Sequence, residues 1–313
     1  MQRWVRPVAL VLALLSACGL LAGCRGQFAG LRLRIATGSS DGVYYQVGSQ
    51  LAGVWAGQLG IPRPDVLTSQ GSPENLQRLR DGTADVAFAS ADAIENPDQG
   101  RRKLRALARI YDDYIQVVVR SNEPIRDLAD LTGKRVSIGP ANSQVQLVAD
   151  RVLAAARVHG ITPVDDSLND SISALSAGRI DAFFWSGGLP TESITQLAGT
   201  VPLRLLDLGS DPSGVLTTML ARYPVYGTAL VPAGTYGSRT GSVTTLTVPN
   251  FLLVTDRMPD DVAEALVSGL FGATGKLVGV NAAALGIDVH SAIYTQPVPL
   301  HPGAQAYYRS TKI

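Results

Sequence analysis

Cysteine is almost missing from this chain: of 313 residues, only Cys18 and Cys24 are cysteine. Cys18 falls inside an apolar N-terminal stretch, which leaves Cys24 alone in everything that follows. No internal disulfide can form there, and no thiol cluster can hold zinc. Histidine is equally scarce. His159 and His290 have no partner nearby in sequence, His301 beside Pro302-Gly303 reads as a turn or cap residue, and there is no His-Glu-x-x-His. Neither sign of charge dominates, with 27 Lys and Arg against 26 Asp and Glu. That balance gives no polybasic tail and no nucleic-acid face. Beyond the N-terminus no apolar run approaches membrane-spanning length.

The N-terminus itself carries an address. Arg3 and Arg6 precede an unbroken apolar run from Val8 to Leu15, and Leu20-Leu21-Ala22-Gly23-Cys24 follows. A charged start, a short apolar core and small residues before a break make a secretory signal. Leu21-Ala22-Gly23-Cys24 resembles the bacterial lipobox, whose Cys is acylated as the signal is removed. That resemblance implies a lipid on Cys24 and a location outside the cytoplasm, anchored to the outer face of the cytoplasmic membrane. The other readings are an ordinary signal peptide with an incidental Cys, or a signal anchor. Residues 1–24 are then the signal and 25–30 a short tether.

The rest alternates strand-like and helix-like segments, the pattern of an α/β fold with mostly parallel strands. Leu33–Ala36 reads as a strand, followed by a helix with Tyr44, Val47, Leu51, Val54 and Trp55 on one face. Val66–Thr68 is a second strand, and Ser72 and Pro73 suit the N-cap and first position of the next helix. Further strands are expected at 85–89, 106–110, 115–119 and 135–138, and a helix at 144–156 with Val145, Val148 and Val152 inward. One phrase occurs twice: Leu79–Phe88 matches Leu175–Phe184 in its spaced Leu, Gly, Asp and Phe, each copy reading as helix end, glycine cap and buried strand. Two related α/β lobes around a cleft are expected, lobe one from 31–119 and 249–313 and lobe two from 120–248, with crossings near Arg120 and Thr247.

Ligands of open α/β sheets bind outside the carboxyl ends of the strands. The loops there are Thr37–Gly42, Ser69–Asn75, Ser90–Asp92, Gly139–Gln144 and Ser186–Leu189, rich in Gly, Ser and Asn and poor in cations. Helix starts in such loops offer backbone N–H groups to an anion. The candidate ligand contacts from these loops are Ser39, Ser40, Ser90, Gln144, Ser186 and Gly187.

Five motifs in order resemble the TAXI-type solute receptors of tripartite ATP-independent periplasmic (TRAP) transporters. They are Ala36–Tyr45, Gly71–Leu76, Gly82–Ala87, Val231-Pro232-Ala233-Gly234-Thr235-Tyr236, and Leu300–Ala304 with Tyr307-Tyr308. The resemblance covers essentially the whole chain beyond the signal. It implies a bilobal type II periplasmic-binding-protein-like fold, a small carboxylate such as a glutamate-like amino acid or dicarboxylate as ligand, delivery to a TRAP permease, and no chemistry or cofactor. It places Gly42, Tyr44, Ser72, Asn75, Ser143 and Trp185 at the ligand. Two departures stand out. Ser90-Ala91-Asp92 replaces the family's Gln, small residue and Asp, and Ser39-Ser40-Asp41 replaces a more glycine-rich loop. Asp41 either caps the following helix or meets an amino group of the ligand.

The same receptor could instead dock on a membrane histidine kinase as a sensor, and neighbouring genes would discriminate. A secreted hydrolase is the reading from another class, because Gly38–Gly42 fits Gly-x-Ser-x-Gly between a strand and a helix. That elbow needs an oxyanion donor from an earlier strand, and none precedes it, so no enzyme is expected. The receptor is expected to act as a monomer.

Overall fold

The computed structural model describes residues 27–40, 42–237 and 241–312. The stretch expected to be a signal, Cys24 and Asp41 lie outside the described residues. Residues 27–30 form a turn, and Phe28 packs partly buried against the core, so they lie on the folded domain.

The first half alternates as its sequence pattern predicts. β1 (Arg34–Ala36) leads to α1 (Val43–Leu59), β2 (Asp65–Leu67), α2 (Ser72–Asp81) and β3 (Val86–Ser90). Helix α1 buries Val47, Leu51 and Trp55, one residue per turn, and Trp55 Nε1 donates to the Leu266 carbonyl at 3.0 Å. The cap of α2 is Gly71, not Ser72, which is the first helical residue. The Ser72 hydroxyl accepts instead from the Ser90 backbone N–H at 3.0 Å and so ties the helix start to the end of β3.

The strands expected at 106–110 and 115–119 are one, β4 (Leu104–Arg120). Asp112 and Asp113 do not break it, because β10 (Val243–Thr255) pairs with them directly and takes up the irregularity in register shifts at Asn250/Phe251 and Leu252/Leu253. The second half repeats the first: β5 (Arg135–Ser137), α3 (Gln144–Ala155), β6 (Thr162–Val164), α4 (Leu168–Ser176) and β7 (Ala182–Gly187). It continues with α5 (Glu192–Ala198), β8 (Leu203–Leu205), α6 (Val215–Arg222) and β9 (Gly227–Val231). After β10, α7 (Asp260–Gly272), α8 (Thr274–Val280) and α9 (Pro302–Ser310) close the chain over the first half. His301 is the N-cap of α9 and accepts from the Gly303 N–H at 3.2 Å, the cap role its sequence context suggests.

Among the described residues, ten strands form one sheet in the order β2-β1-β3-β10-β4-β7-β5-β6, with β8 on β4 and β9 on β10. Both halves carry the same pattern. In the first, β2-β1-β3 run parallel, then β10 enters antiparallel to β3 and is followed by β4. In the second, β6-β5-β7 run parallel, then β4 enters antiparallel to β7 and is followed by β8. Each long strand thus belongs to both halves. β4 exchanges β10 for β7 at Tyr114, and the expected crossing near Arg120 falls at the far end of the strand, beside β8.

The repeated phrase is reproduced atom for atom. Arg34 Nη2 donates to the Gly82 carbonyl at 2.8 Å while its backbone N–H donates to Asp85 Oδ2 at 2.9 Å. Arg135 Nη2 donates to the Gly178 carbonyl at 2.8 Å while its backbone N–H donates to Asp181 Oδ2 at 2.9 Å. Gly82 (φ 73°) and Gly178 (φ 69°) are both left-handed, as a helix-ending turn requires. These pairs are partly exposed and add little stability. They fix where β3 and β7 begin relative to β1 and β5.

Helix α1 packs so closely on the sheet that a Cβ on Gly48 would sit 2.7 Å from Thr37 Cγ2 and 3.1 Å from Phe88. Gly53 of the same helix faces open space. Gly48→Ala is therefore expected to lower stability by about 1–3 kcal/mol through overpacking. Gly53→Ala is expected to raise it by about 0.5–1 kcal/mol through helix propensity. Urea denaturation of the two variants checks the opposite signs, and two stabilising substitutions would refute the close contact.

Candidate functional site

A cavity of about 140 Å³ opens between the two halves of the sheet. The first half lines it with Gly38, Ser39, Gly42, Val43, Tyr44 and residues 69–72, and β4 adds Tyr111 and Asp113. The second half adds Pro140, Ser143, Gln144, Val145, Ser167, Leu168 and residues 185–187. These are the loops after β1, β2, β5 and β6 and the end of β7, all at carboxyl ends of parallel strands. Of the residues expected from sequence, Ser39, Gly42, Tyr44, Ser72, Ser143, Gln144, Trp185, Ser186 and Gly187 come together here.

Three expected residues do not line the cavity. Asn75 is fully buried as a brace: its amide donates to the carbonyls of Thr37 and Phe88, and its Oδ1 accepts from Ser69 Oγ at 2.7 Å. Those bonds use its capacity to hold β1 and β3 together. Ser90 is likewise buried, donating to Asp92 Oδ1 at 2.6 Å and lying 3.1 Å from Ser72 Oγ. Ser40 is exposed, beside Ser39 at the edge of the loop.

Four helices begin at the cavity, two from each half. Ser143 and Ser167 cap α3 and α4, their hydroxyls accepting from the N–H groups of Gln146 and Asp170 at 3.2 Å each. The caps of α1 and α2 are Gly42 and Gly71, which have no side chain to close the first N–H groups. The α1 and α2 starts therefore point uncapped donors and the positive ends of two helix dipoles toward the same space.

The aromatic wall is built on both halves. Tyr44 stacks on Phe88 with ring centroids 5.2 Å apart and donates its hydroxyl to Asn250 Oδ1, while Tyr45 does not line the cavity. Trp185 donates Nε1 to Thr191 Oγ1 at 3.0 Å. The Thr191 N–H in turn donates to the hydroxyl of Tyr236, which belongs to the Pro232–Tyr236 motif. That motif thus acts at the site indirectly, by holding the turn against which Trp185 rests.

Sequence reasoning missed Tyr111 and Asp113. Both fall in what was read as the gap between two strands, and in one continuous strand residues 111 and 113 share a face. Asp112 faces the other way and pairs with Arg109 at 2.7 Å. The available signal was an acid doublet between two apolar runs, which alternation turns into one solvated and one inward carboxyl. Tyr111 is 4 % exposed, and its hydroxyl has no hydrogen-bond partner. Asp113 is 6 % exposed, and Ser186 Oγ donates to it at 3.3 Å. Burial raises the Asp113 pKa to about 7, with Asp92 and Asp112 adding to the rise and the side chains of Asn250 and Ser186 opposing it.

A second network crosses between the halves just behind the cavity. Asp92, in the short turn Ala91–Ala93, accepts from Gln144 Nε2 at 3.1 Å and from the Tyr226 hydroxyl at 2.8 Å. Arg151 donates to the Asp92 carbonyl at 3.2 Å and lies over the Tyr223 ring. Gln144 belongs to both the network and the cavity wall.

This is a type II periplasmic-binding-protein-like fold, two α/β halves with a cavity between them at β4 and β10. The model of the NMT1-like family matches residues 35–311, and the chain belongs to that family. Similar solved structures include a Bordetella bronchiseptica RB50 protein at 13 % identity, covering 90 % of this chain and 98 % of that one with a TM-score of 0.54. XAC2383 from Xanthomonas citri, bound to ATP, is 16 % identical over 89 % of this chain and 94 % of its own, with a TM-score of 0.51. The periplasmic aliphatic sulphonate binding protein SsuA from Escherichia coli is 15 % identical over 90 % and 84 %, with a TM-score of 0.47. At these identities the likeness to the first two is one of fold.

The Asp113 carboxyl fixes a pH dependence. Its pKa rises from 3.8 to about 7 on folding, so between those values the folded chain binds more protons than the unfolded one. Stability of the unliganded protein therefore falls as pH rises from about 4 to 7 and stays reduced above. Asp113→Asn removes that contribution and at pH 8 is expected to raise stability by about 1–4 kcal/mol relative to the parent. Urea titrations of both proteins at acid and alkaline pH measure the difference, and parallel pH profiles would place the carboxyl in water.

Proposed function

We propose that this protein is an extracytoplasmic receptor that captures one small organic anion between its two halves and hands it to a membrane partner. The observation that carries the reading is the cavity shared by both halves, where glycine-capped helix starts offer donors that no side chain closes. Backbone donors and helix dipoles can hold a carboxylate without a cationic side chain. The lobes we propose divide where strand partners change, at Tyr114 on β4 and Thr247 on β10. Hinge closure about these two strands would enclose the ligand, as domain closure does in binding proteins.

The five motifs resembling TAXI-type receptors support a TRAP permease as the partner, with Cys24 as the lipid-bearing residue that keeps the receptor at the membrane. Serine hydroxyls and backbone amides at the cavity suit ligand capture, and Gly38, Ser39 and Gly42 line the cavity while Ser40, the nucleophile position of the Gly-x-Ser-x-Gly pattern, does not. The receptor works without a cofactor.

A thermal-shift screen of the protein, unfolded and refolded to strip carried ligand, tests the reading against small carboxylates. A ligand at about a hundred times its dissociation constant is expected to add about 2.7 kcal/mol. Ser39 is exposed at the cavity mouth, so Ser39→Trp is expected to fill the mouth, keep the fold and abolish the shift. A shift that survives this block would move the site elsewhere. Metabolic labelling with a fatty acid is expected to mark the parent and not Cys24→Ala, and a parent that takes up no label would refute the lipid anchor.

A further inference from the structure

Charge is balanced over the whole chain, yet cations gather at one end of the first half. Arg101, Arg102, Lys103 and Arg105 stand together where β4 begins, and Arg257 joins them from the turn after β10. The backbones of the two segments are tied there. The Lys103 N–H donates to Asp256 Oδ1 at 3.1 Å, the Asp256 N–H donates to the Lys103 carbonyl at 2.9 Å, and Arg257 Nη2 donates to the Arg101 carbonyl at 3.4 Å. Arg105 pairs with Asp98 at 2.8 Å. Arg101, Arg102, Lys103 and Arg257 form no ion pair among the described residues, and all but the half-buried Arg102 are exposed. The acids close by are Asp98 and Asp256, engaged as above, and Asp260 and Asp261 in the first turn of α7, where the positive end of the helix dipole offsets their charge. Cations held this close repel one another, and a negatively charged surface relieves that cost.

The same end of the first half receives the chain from its N-terminus. Residues 27–30 fold onto the domain, and Gln27 Nε2 donates to Asp261 Oδ2 at 3.4 Å, only a short turn beyond Arg257. Arg25 and Gly26 alone separate Gln27 from Cys24, a reach of about 10 Å. We infer that the basic turn of Arg101–Lys103 and Arg257 docks on anionic phospholipid headgroups and stands the protein on this end of its first half. The inference rests on the lipid anchor at Cys24 in the receptor reading. The acyl chains hold Gln27 at the bilayer as a pivot, and the basic turn sets the tilt about that pivot. Each exposed cation near an anionic lipid surface adds to the attraction, which acts only within a Debye length of the headgroups. The short tether keeps the turn within that range. Asp113 on the cavity wall and Leu104 beside the basic turn lie on the same strand, about 30 Å apart at the rise of a strand. The docked protein therefore holds its cavity about 30 Å above the headgroups, with the second half outermost, and a membrane partner meets it above the bilayer surface.

The acylated protein in lipid vesicles tests this. One cysteine is introduced at Gln99, beside the basic turn, or at Arg179, which precedes β7 at the far end of β4; both positions are exposed. A fluorophore on that cysteine is quenched by a nitroxide on the lipid headgroups, in phosphatidylcholine vesicles with and without phosphatidylglycerol. On vesicles with phosphatidylglycerol at low salt, the Gln99 label is expected to be quenched at least about threefold more than the Arg179 label. That contrast is expected to fall by about half or more without phosphatidylglycerol, in about 0.5 M salt, and in the triple variant Arg101→Gln, Lys103→Gln, Arg257→Gln. Circular dichroism reports the folding of the variant. A contrast unchanged by removing the anionic lipid, or unchanged in the triple variant, would overturn the inference, because the tether alone would then set the tilt. Equal quenching at the two positions on anionic vesicles would overturn it as well. These results leave capture in the cavity untouched, since the thermal-shift screen judges it separately. A parent whose mass shows no acyl chain would remove the anchor and this inference with it.

Discussion

The antiparallel pairing of β4 with β10 is the constraint on which the rest depends. The two strands stay in contact from Leu104 opposite Thr255 to Tyr114 opposite Thr247, and beyond that contact each continues into the second half. Every parallel strand is placed by reference to them: β3 lies on β10, β7 lies on β4, and the two three-stranded groups extend outward in mirror order. Because a strand rises about 3.3 Å per residue and cannot shift by one residue without turning its side chains to the other face, this register also sets which residues face the space between the halves. Tyr111 and Asp113 face it, and Asp112 does not.

The electrostatics of that space follow from two unlike sources. Helix starts supply diffuse positive potential through backbone dipoles; in the first half neither glycine cap adds a side-chain cap bond, and Glu74 in the first turn of α2 leaves α1 as the start with no acid of its own. The second half has serine caps in the equivalent places, so the two halves share a fold without sharing their polar chemistry. Asp113 supplies concentrated negative charge from the sheet. The bonds of Asp92 to Gln144 and Tyr226 add a mechanical link between the halves, and Gln144 places that link in contact with the cavity.

Much of this was legible in sequence. The alternating pattern points to the α/β class, and the Leu79–Phe88 and Leu175–Phe184 phrases mark the internal repeat by spacing alone. Small polar loops at strand ends pointed to most of the cavity wall. Where the reading failed, the reasons are specific. Asn75 sits in the right loop, but one helical turn deeper, where its amide is consumed by the backbone of β1 and β3. Ser72 looked like a cap because of Pro73, yet its hydroxyl is drawn to the end of β3. The acid doublet in β4 looked like a break because two adjacent carboxylates are rare inside a strand.

What the sequence determined by itself is local and periodic: the helices that bury every third or fourth residue, the glycine-ended turns, and the composition of the loops. Those depend only on neighbours along the chain. Tertiary structure alone decided that β4 is one strand and which of its two acids is buried, because both depend on pairing with β10, whose residues lie far away in sequence. It also decided that nine of the expected site residues share a cavity while Asn75, Ser90 and Ser40 stand outside it. A loop's composition says that donors are present, and only the packing of the strands beneath says where they point.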